Sequence, residues 1–247
     1  MLKNKRRKRL AGKNRLKKRK ESLSVKLKPM KPVKSVKSIK PVESVQNGLA
    51  PGIFPEEGPE YYDTHIPEDL DDNIHWRKLY DKVLSFLPLA NPDAAPDDFN
   101  TAIMELGCGP GYLAKILYDE GYRNYCGIDF SEVCIEKAKE KVPDFGFVVD
   151  NLYNEEVQKE FSNYDILICL ETLEHLENDI AVLEAIPSGK GVIFSVPNNA
   201  GIGHVRIFGG QKAVRLRYES LIDFEKIFSI YRGRRKIYFY LVYGIKK

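Results

Sequence analysis

The chain has 247 residues, a formal charge of +4, 43% hydrophobic residues and four cysteines, a length that admits one large domain or two small ones. No apolar run approaches the ~18 residues that span a bilayer, and the N-terminus lacks the apolar stretch of a secretory signal. Cys108, Cys126, Cys134 and Cys169 have neither C-x-x-C nor zinc-finger spacing, so the expectation is a cytoplasmic protein with reduced thiols and no transmembrane segment.

The charge is unevenly placed. Residues 1–50 hold 18 Lys and Arg against Glu21 and Glu43, while the other 197 residues hold 21 basic and 33 acidic side chains. The first 50 residues also contain no aromatic side chain, too little apolar surface to offset the entropy of ordering, and read as a disordered basic tail. Val33–Val45 repeats every three residues with interspersed proline, which suits a polyproline-like strand. The runs K-N-K-R-R-K-R-L and L-K-K-R-K would attract RNA, DNA or an anionic membrane in a salt-sensitive way. They lack the aromatics that stack on bases. Residues 51–60 read as a linker and 61–247 as the folded domain.

A first helix is expected over Asp71–Leu87, with Trp76, Leu79, Tyr80, Val83, Leu84 and Leu87 at helical spacing and Pro88 ending it. Strands and helices then alternate. Thr101–Leu106 reads as a strand, Tyr112–Glu120 as a helix, and Tyr125–Ile128 as a second strand. A helix follows from about Glu132 to Val142, with Ser131 as N-cap, and then a third strand, Gly146–Val149. Asp165–Leu170 is the fourth strand, Glu174–Ile186 a helix and Gly191–Val196 the fifth strand. A polar helix around Gln211–Leu221 precedes two apolar runs, Phe224–Tyr231 and Lys236–Tyr243, with Gly233 at the turn between them. The fold class expected is α/β: a Rossmann-like, doubly wound, mostly parallel sheet ending in an antiparallel hairpin.

The first strand runs into M-E-L-G-C-G-P-G-Y-L, Met104–Leu113. Glycine is needed where the backbone turns sharply or a ligand approaches it closely. Dinucleotide folds use G-x-G-x-x-G, but here Gly107, Gly109 and Gly111 make G-x-G-x-G, and there is no G-x-x-x-x-G-K-[ST] phosphate loop. A nucleoside-like ligand without phosphates fits better. Asp129, at the tip of the second strand, is placed to accept ribose hydroxyls. Asp150, ending the third, can reach an adenine amino group, and Glu105 favours a cationic ligand.

E-L-G-C-G-P-G, G-I-D-F-S, V-V-D-N-L and C-L-E-T-L-E-H, in this order, resemble the successive motifs of class I S-adenosylmethionine-dependent methyltransferases. The resemblance covers roughly Tyr61–Lys247, and the chain is similar to the ubiquinone-pathway O-methyltransferases. It implies that Gly107, Gly109 and Gly111 line the methionine and ribose, that Asp129 holds the ribose, and that Asp150, Asn151 and Leu152 surround the adenine. Glu105, Cys108, Phe130 and Leu170 complete the implied cofactor site.

If a helix begins near Glu171, that residue, Glu174 and His175 share one face at i, i+3 and i+4. Two carboxylates and an imidazole suit a divalent cation such as Mg²⁺ or a general base. The segment resembles the E-x-x-E-H of the ubiquinone-pathway enzymes and of small-RNA 2′-O-methyltransferases, in which it accompanies a divalent metal. Glu171 and His175 are the candidate catalytic residues, and His204, in G-H-V-R, is a further candidate ligand. The alternatives are that the acids merely favour a helix N-terminus, that His175 is a metal-free base, and that His204 and Arg206 hold the substrate or the chain itself. The fourth strand leads into C-L-E-T rather than [ND]-P-P-[YF], which favours an oxygen over a nucleobase nitrogen. The function expected is methyl transfer to a small hydroxylated molecule or glycan. The rivals are an RNA methyltransferase delivered by residues 1–50, and a catalytically silent cofactor-binding scaffold.

Overall fold

A computed structural model of the chain describes residues 50–51, 54–65, 74–90, 99–233 and 237–247. The tail expected over residues 1–50 (all but Ala50), the start of the expected first helix (Asp71–Asn73) and Arg234–Lys236 of the hairpin lie outside the described residues.

In chain order the helices and sheet strands are α1 (Pro59–Thr64), α2 (Ile74–Leu84), α3 (Leu87–Ala90), β1 (Ile103–Leu106), α4 (Tyr112–Glu120), β2 (Tyr125–Asp129) and α5 (Glu132–Lys141). They continue with β3 (Gly146–Val149), α6 (Glu155–Glu160), β4 (Ile166–Leu170), α7 (Asp179–Glu184), β5 (Gly191–Pro197), α8 (Gln211–Tyr218), β6 (Ile222–Tyr231) and β7 (Tyr238–Lys246). Every residue of β1, β4 and β5 is buried, as near-continuous apolar runs are when both faces of a parallel sheet are covered. Side chains alternate between the faces. Met104, Leu167, Cys169, Val192 and Phe194 pack into one core, with Phe161, Phe208 and Tyr218. Ile103, Ile166, Ile168 and Ile193 pack into the other, with Leu79, Leu113 and Leu117.

The seven strands are ordered β3-β2-β1-β4-β5-β7-β6. β1 to β5 run parallel, whereas β7 is antiparallel to both β5 and β6. The chain order reverses at β1, between β2 and β4, so the carboxyl ends of these strands open a crevice there, where ligands of open α/β sheets bind. Separately, Ala50–Pro51 pairs antiparallel with Arg206–Ile207.

The Rossmann-like expectation holds, and Ser131 caps α5 by accepting from Cys134 N at 3.0 Å. The differences are local. The expected helix over Asp71–Leu87 ends at Leu84, and Pro88 falls in the first turn of α3 instead of ending a helix; that position needs no proline N–H. The helix expected over Glu174–Ile186 is only Asp179–Glu184. α1 and α6 lie where no helix was expected: α1 buries no side chain, and α6 buries only Val157, behind an Asn154 cap. Among the described residues no helix is long and apolar enough to cross a membrane.

Candidate active site

The loops after β1, β2, β3, β4 and β5 surround one cavity of about 420 Å³. Glu105, Gly107, Cys108, Gly109, Asp129, Phe130, Asp150, Asn151, Leu152 and Leu170 all stand on its wall, as do Glu171, Glu174, His175 and His204. Gly111 does not. Its φ of +78° caps α4, and a Cβ there would meet Ala138 Cα at 3.0 Å, so its smallness brings α4 against α5. At Gly107 (φ +76°) a Cβ would lie 2.7 Å from Thr172 Cγ2, whereas at Gly109 (φ +50°) it would enter open space.

Asp129 is oriented by two backbone donors, Gly109 N to Oδ2 at 2.8 Å and Ser131 N to Oδ1 at 2.9 Å. Burial raises its pKa despite these bonds. Asp150 accepts from Asn151 N (2.7 Å) and Asn154 Nδ2 (3.0 Å), which fixes its carboxylate at the tip of β3. Glu105 is buried, and burial pushes it up to about 8 although Tyr125 OH donates to it at 2.5 Å. It is therefore mostly protonated at pH 7. Between about 4.5 and 8 folding takes up this proton, so the residue's contribution to stability is lost as pH rises through that window. A cation seated beside Glu105 would favour its ionised form. Binding of S-adenosylmethionine, the ligand that the motif resemblance implies, should then release a proton at pH 7, read as a binding enthalpy that differs between phosphate and Tris buffers. Glu105→Gln should abolish the difference; release of an equal proton by that variant would refute the assignment.

The segment after β4 is a loop, which corrects the expectation of a helix from Glu171. Glu171 has φ +51°, and such strain costs about 1–3 kcal/mol. Its N–H donates to the carbonyl and hydroxyl oxygens of Ser195, both at 3.1 Å, and its Oε1 accepts from Ser195 Oγ at 2.8 Å. A single turn then forms, His175 N to Thr172 O (2.9 Å), and Val205 N to Glu174 O (2.9 Å) draws the next loop alongside.

That pairing brings His204 to His175, their ring centres 4.7 Å apart. Glu174, His175 and His204 each offer one atom, all within 4.8 Å of one another. Glu171, expected in the same set, stands beside this trio rather than in it. Both carboxylate oxygens of Glu174 are buried without a hydrogen-bond partner, and His175 Nε2 is 3.8 Å from its Oε1. Carbonyl oxygens only accept, so Gly203 O, 3.1 Å from His175 Nδ1, and Asn199 O, 3.0 Å from His204 Nδ1, place the protons there. Each Nε2 lone pair is left available, the arrangement that metal-ligating histidines have. Tyr62 OH also lies 2.8 Å from His175 Nδ1. Burial pushes His175 down to about 4 and lowers His204. Burial raises Glu171 to about 8, and burial with the charge of Glu171 raises Glu174 well above the usual carboxylate range. A buried carboxylate without partners is expensive, and the chemistry of this donor set fits a divalent cation.

Arg206, read from the sequence as holding either substrate or chain, holds the chain. It donates to Leu173 O and to Glu177 O (3.1 Å) and lies 3.3 Å from Asp179 Oδ1. Residues 54–65 contribute what the sequence did not announce: Glu56, Glu57, Tyr61, Tyr62 and His65 line the cavity. Glu56 accepts from Tyr153 OH (2.8 Å) and Glu177 N (2.7 Å), and Asp63 from Ser131 Oγ (2.6 Å). No motif marks these residues, because their partners are remote in sequence.

A family model described as a methyltransferase domain matches residues 71–234. The ubiquinone biosynthesis O-methyltransferase of Escherichia coli O9:H4 (strain HS) is 27% identical over 136 residues, 52% of this chain and 56% of that protein. Its counterpart in Pseudomonas aeruginosa (strain UCBPP-PA14) is 26% identical over 132 residues, 50% and 56% of the two chains. The chain thus spans about half the length of the curated relatives it matches. Among solved structures, magnesium protoporphyrin IX methyltransferase from Synechocystis PCC 6803 with bound SAM is similar at TM-score 0.54 and 16% identity, covering 76% of this chain and 95% of that one. The N-methyltransferase NodS from Bradyrhizobium japonicum WM9 with S-adenosyl-L-homocysteine gives 0.55 and 14%, covering 76% and 96%. At these identities the likeness is one of fold.

Proposed function

The chain belongs to the methyltransferase-domain family of S-adenosylmethionine-dependent enzymes, and from that footing we propose that it carries the methyl group to an oxygen of a small hydroxylated molecule or glycan. The observation that carries the choice of oxygen is the buried, partnerless carboxylate of Glu174 beside two imidazoles with free Nε2 atoms. Such a set suits holding a divalent cation against a hydroxyl, and nothing in amine methylation calls for it.

In this reading the open space before Gly109 admits the cofactor, Asp129 takes the ribose hydroxyls and Asp150 with Asn151 and Leu152 frames the adenine. Asp129→Ala should weaken S-adenosylhomocysteine binding by about 1.5–3 kcal/mol, the effect of a lost charged hydrogen bond. Calorimetric affinity equal to that of the parent would refute the placement.

In transfer, the acceptor oxygen bonds to the methyl carbon as the carbon–sulfur bond breaks, and that electron pair returns to sulfur, giving the neutral thioether. The positive sulfonium makes the leaving group good, so the chain's work is alignment and removal of the hydroxyl proton. His175 alone is a poor base for an aliphatic hydroxyl when burial holds it near 4. A divalent cation on Glu174, His175 and His204, with Glu171 adjacent, would lower the hydroxyl pKa so that its proton can pass to solvent water. Tyr62 and Gly203 keep the His175 ring turned so that Nε2 faces Glu174. The test is incubation of the full chain with methyl-labelled S-adenosylmethionine, Mg²⁺, and a small-molecule extract or total RNA, followed by mass spectrometry. Label on oxygen of a small molecule is expected; label on nitrogen or only in RNA would overturn the reading.

A further inference from the structure

Arg232 leaves β6 on the wall of the same cavity with more donors than partners. Its N–H bonds to Ile237 O at 2.8 Å, which fixes the entry to the hairpin turn. The guanidinium carbon lies 4.3 Å from the ring centre of Phe239 and 5.7 Å from that of Trp76, so aromatic faces set its position. Among the described residues its five N–H donors make one side-chain hydrogen bond, to Asn199 Oδ1 at a long 3.5 Å. Among the described residues the only carboxylate oxygen within 4.0 Å is Glu171 Oε2, at 3.9 Å, beyond hydrogen-bond reach. Arg206 and Arg217 contrast with it, since backbone carbonyls and Asp179 take up their donors. Arg232 is only 28% exposed, and the sequence adds Arg234, Arg235 and Lys236 after it.

A planar fork held by ring faces, short of acceptors and lining a cavity is suited to a carboxylate or phosphate, which it can grip at two points. We propose that Arg232 receives an anionic group of the acceptor, so that the preferred acceptors are hydroxylated acids rather than neutral alcohols or phenols. The proposal rests on the reading of the cavity as a methyl-transfer site. It deepens that reading by naming the acceptor class: a hydroxyl reaching Glu174, His175 and His204, and an acid group a short distance away on Arg232.

The full chain is first titrated with S-adenosylhomocysteine in Mg²⁺, then at saturation with 3,4-dihydroxybenzoate against catechol, and with 4-hydroxyphenyl phosphate against phenol. At least one acid should bind about 10–100-fold more tightly than its neutral partner, as a charged hydrogen bond would give. The arm with the larger ratio identifies carboxylate or phosphate. Arg232→Gln should erase the ratio and Arg232→Lys retain part of it, both with S-adenosylhomocysteine affinity unchanged, which also reports folding. An absent ratio in the parent protein, a ratio that survives Arg232→Gln, or tight binding of a short RNA alone would overturn the proposal. Failure of S-adenosylhomocysteine to bind would sink the methyltransferase reading and this proposal with it; cofactor binding without an acid preference sinks the proposal only.

Discussion

Glu174→Ala is expected to lower methyl transfer by about 10²–10⁴-fold, the range in which loss of proton-handling groups falls, with S-adenosylhomocysteine affinity changed by less than about twofold. The substitution removes the one carboxylate that, among the described residues, groups within 4.8 Å of both imidazoles and leaves the glycine turn and Asp129 untouched. Exhaustive chelation should reproduce the loss in the parent protein, and Mg²⁺ or Mn²⁺ should restore it. The same ions should raise the Tm of the parent protein but not of Glu174→Ala, because a ligand stabilises only a fold that binds it. Activity that survives chelation yet is lost with His175→Ala would refute the cation and make His175 the base. Activity that survives both would make the cluster structural.

Asp179→Ala should cost about 3–5 kcal/mol of stability, as breaking a buried ion pair does. Asp179 is fully buried; Arg217 donates to it twice (2.7 and 2.5 Å), Tyr218 OH once (2.6 Å), and Arg206 lies 3.3 Å away. Removing the carboxylate takes the shared acceptor from the buried Tyr218 phenol and the partly buried Arg217, and the nearest counter-charge from the buried Arg206. At about 2–4 °C per kcal/mol for a domain of this size, Tm should fall by about 6–20 °C in a thermal melt. Because Arg206 also holds Leu173 O and Glu177 O, the loop carrying Glu174 and His175 should loosen, and metal affinity should fall with stability. A loss below about 1 kcal/mol would show that the network is not structural.

The sheet was legible because its signals are local. β4 is an unbroken apolar run, β1 and β5 are apolar but for Glu105 and Ser195, and Gly107, Asp129 and Asp150 stand where strands end. The E-x-x-E-H segment was legible as chemistry but not as geometry. Its i, i+3, i+4 spacing mimics a helical face, whereas the backbone at Glu171 answers to Ser195, 24 residues away. The approach of His204 likewise depends on the bond from Val205 N to Glu174 O. Residues 54–65 offer polar side chains and few apolar ones, so neither periodicity nor composition reveals α1 or this segment's ties to Tyr153, Ser131 and His175. Asp179, Arg206 and Arg217 come from three separate segments, and only the folded chain makes them one group. Arg232 reads in the sequence as one cation of a basic turn, and its special position depends on the rings of Trp76 and Phe239.

The position of β7 bears on how the protein is made. That strand, at Tyr238–Lys246, pairs with β5 from Gly191↔Ile245 to Pro197↔Phe239, and so lies inside the sheet between β5 and β6 although the ribosome produces it after both. At about 5–20 residues per second, the roughly 50 residues between Pro197 and Lys246 take about 3–10 s to synthesise. Throughout that interval the nascent chain displays β5 as a bare apolar edge, the kind of surface on which strands of other chains add. A message that ends early within the hairpin leaves this edge permanently open, and its product is marked for chaperone retention or aggregation rather than for partial activity.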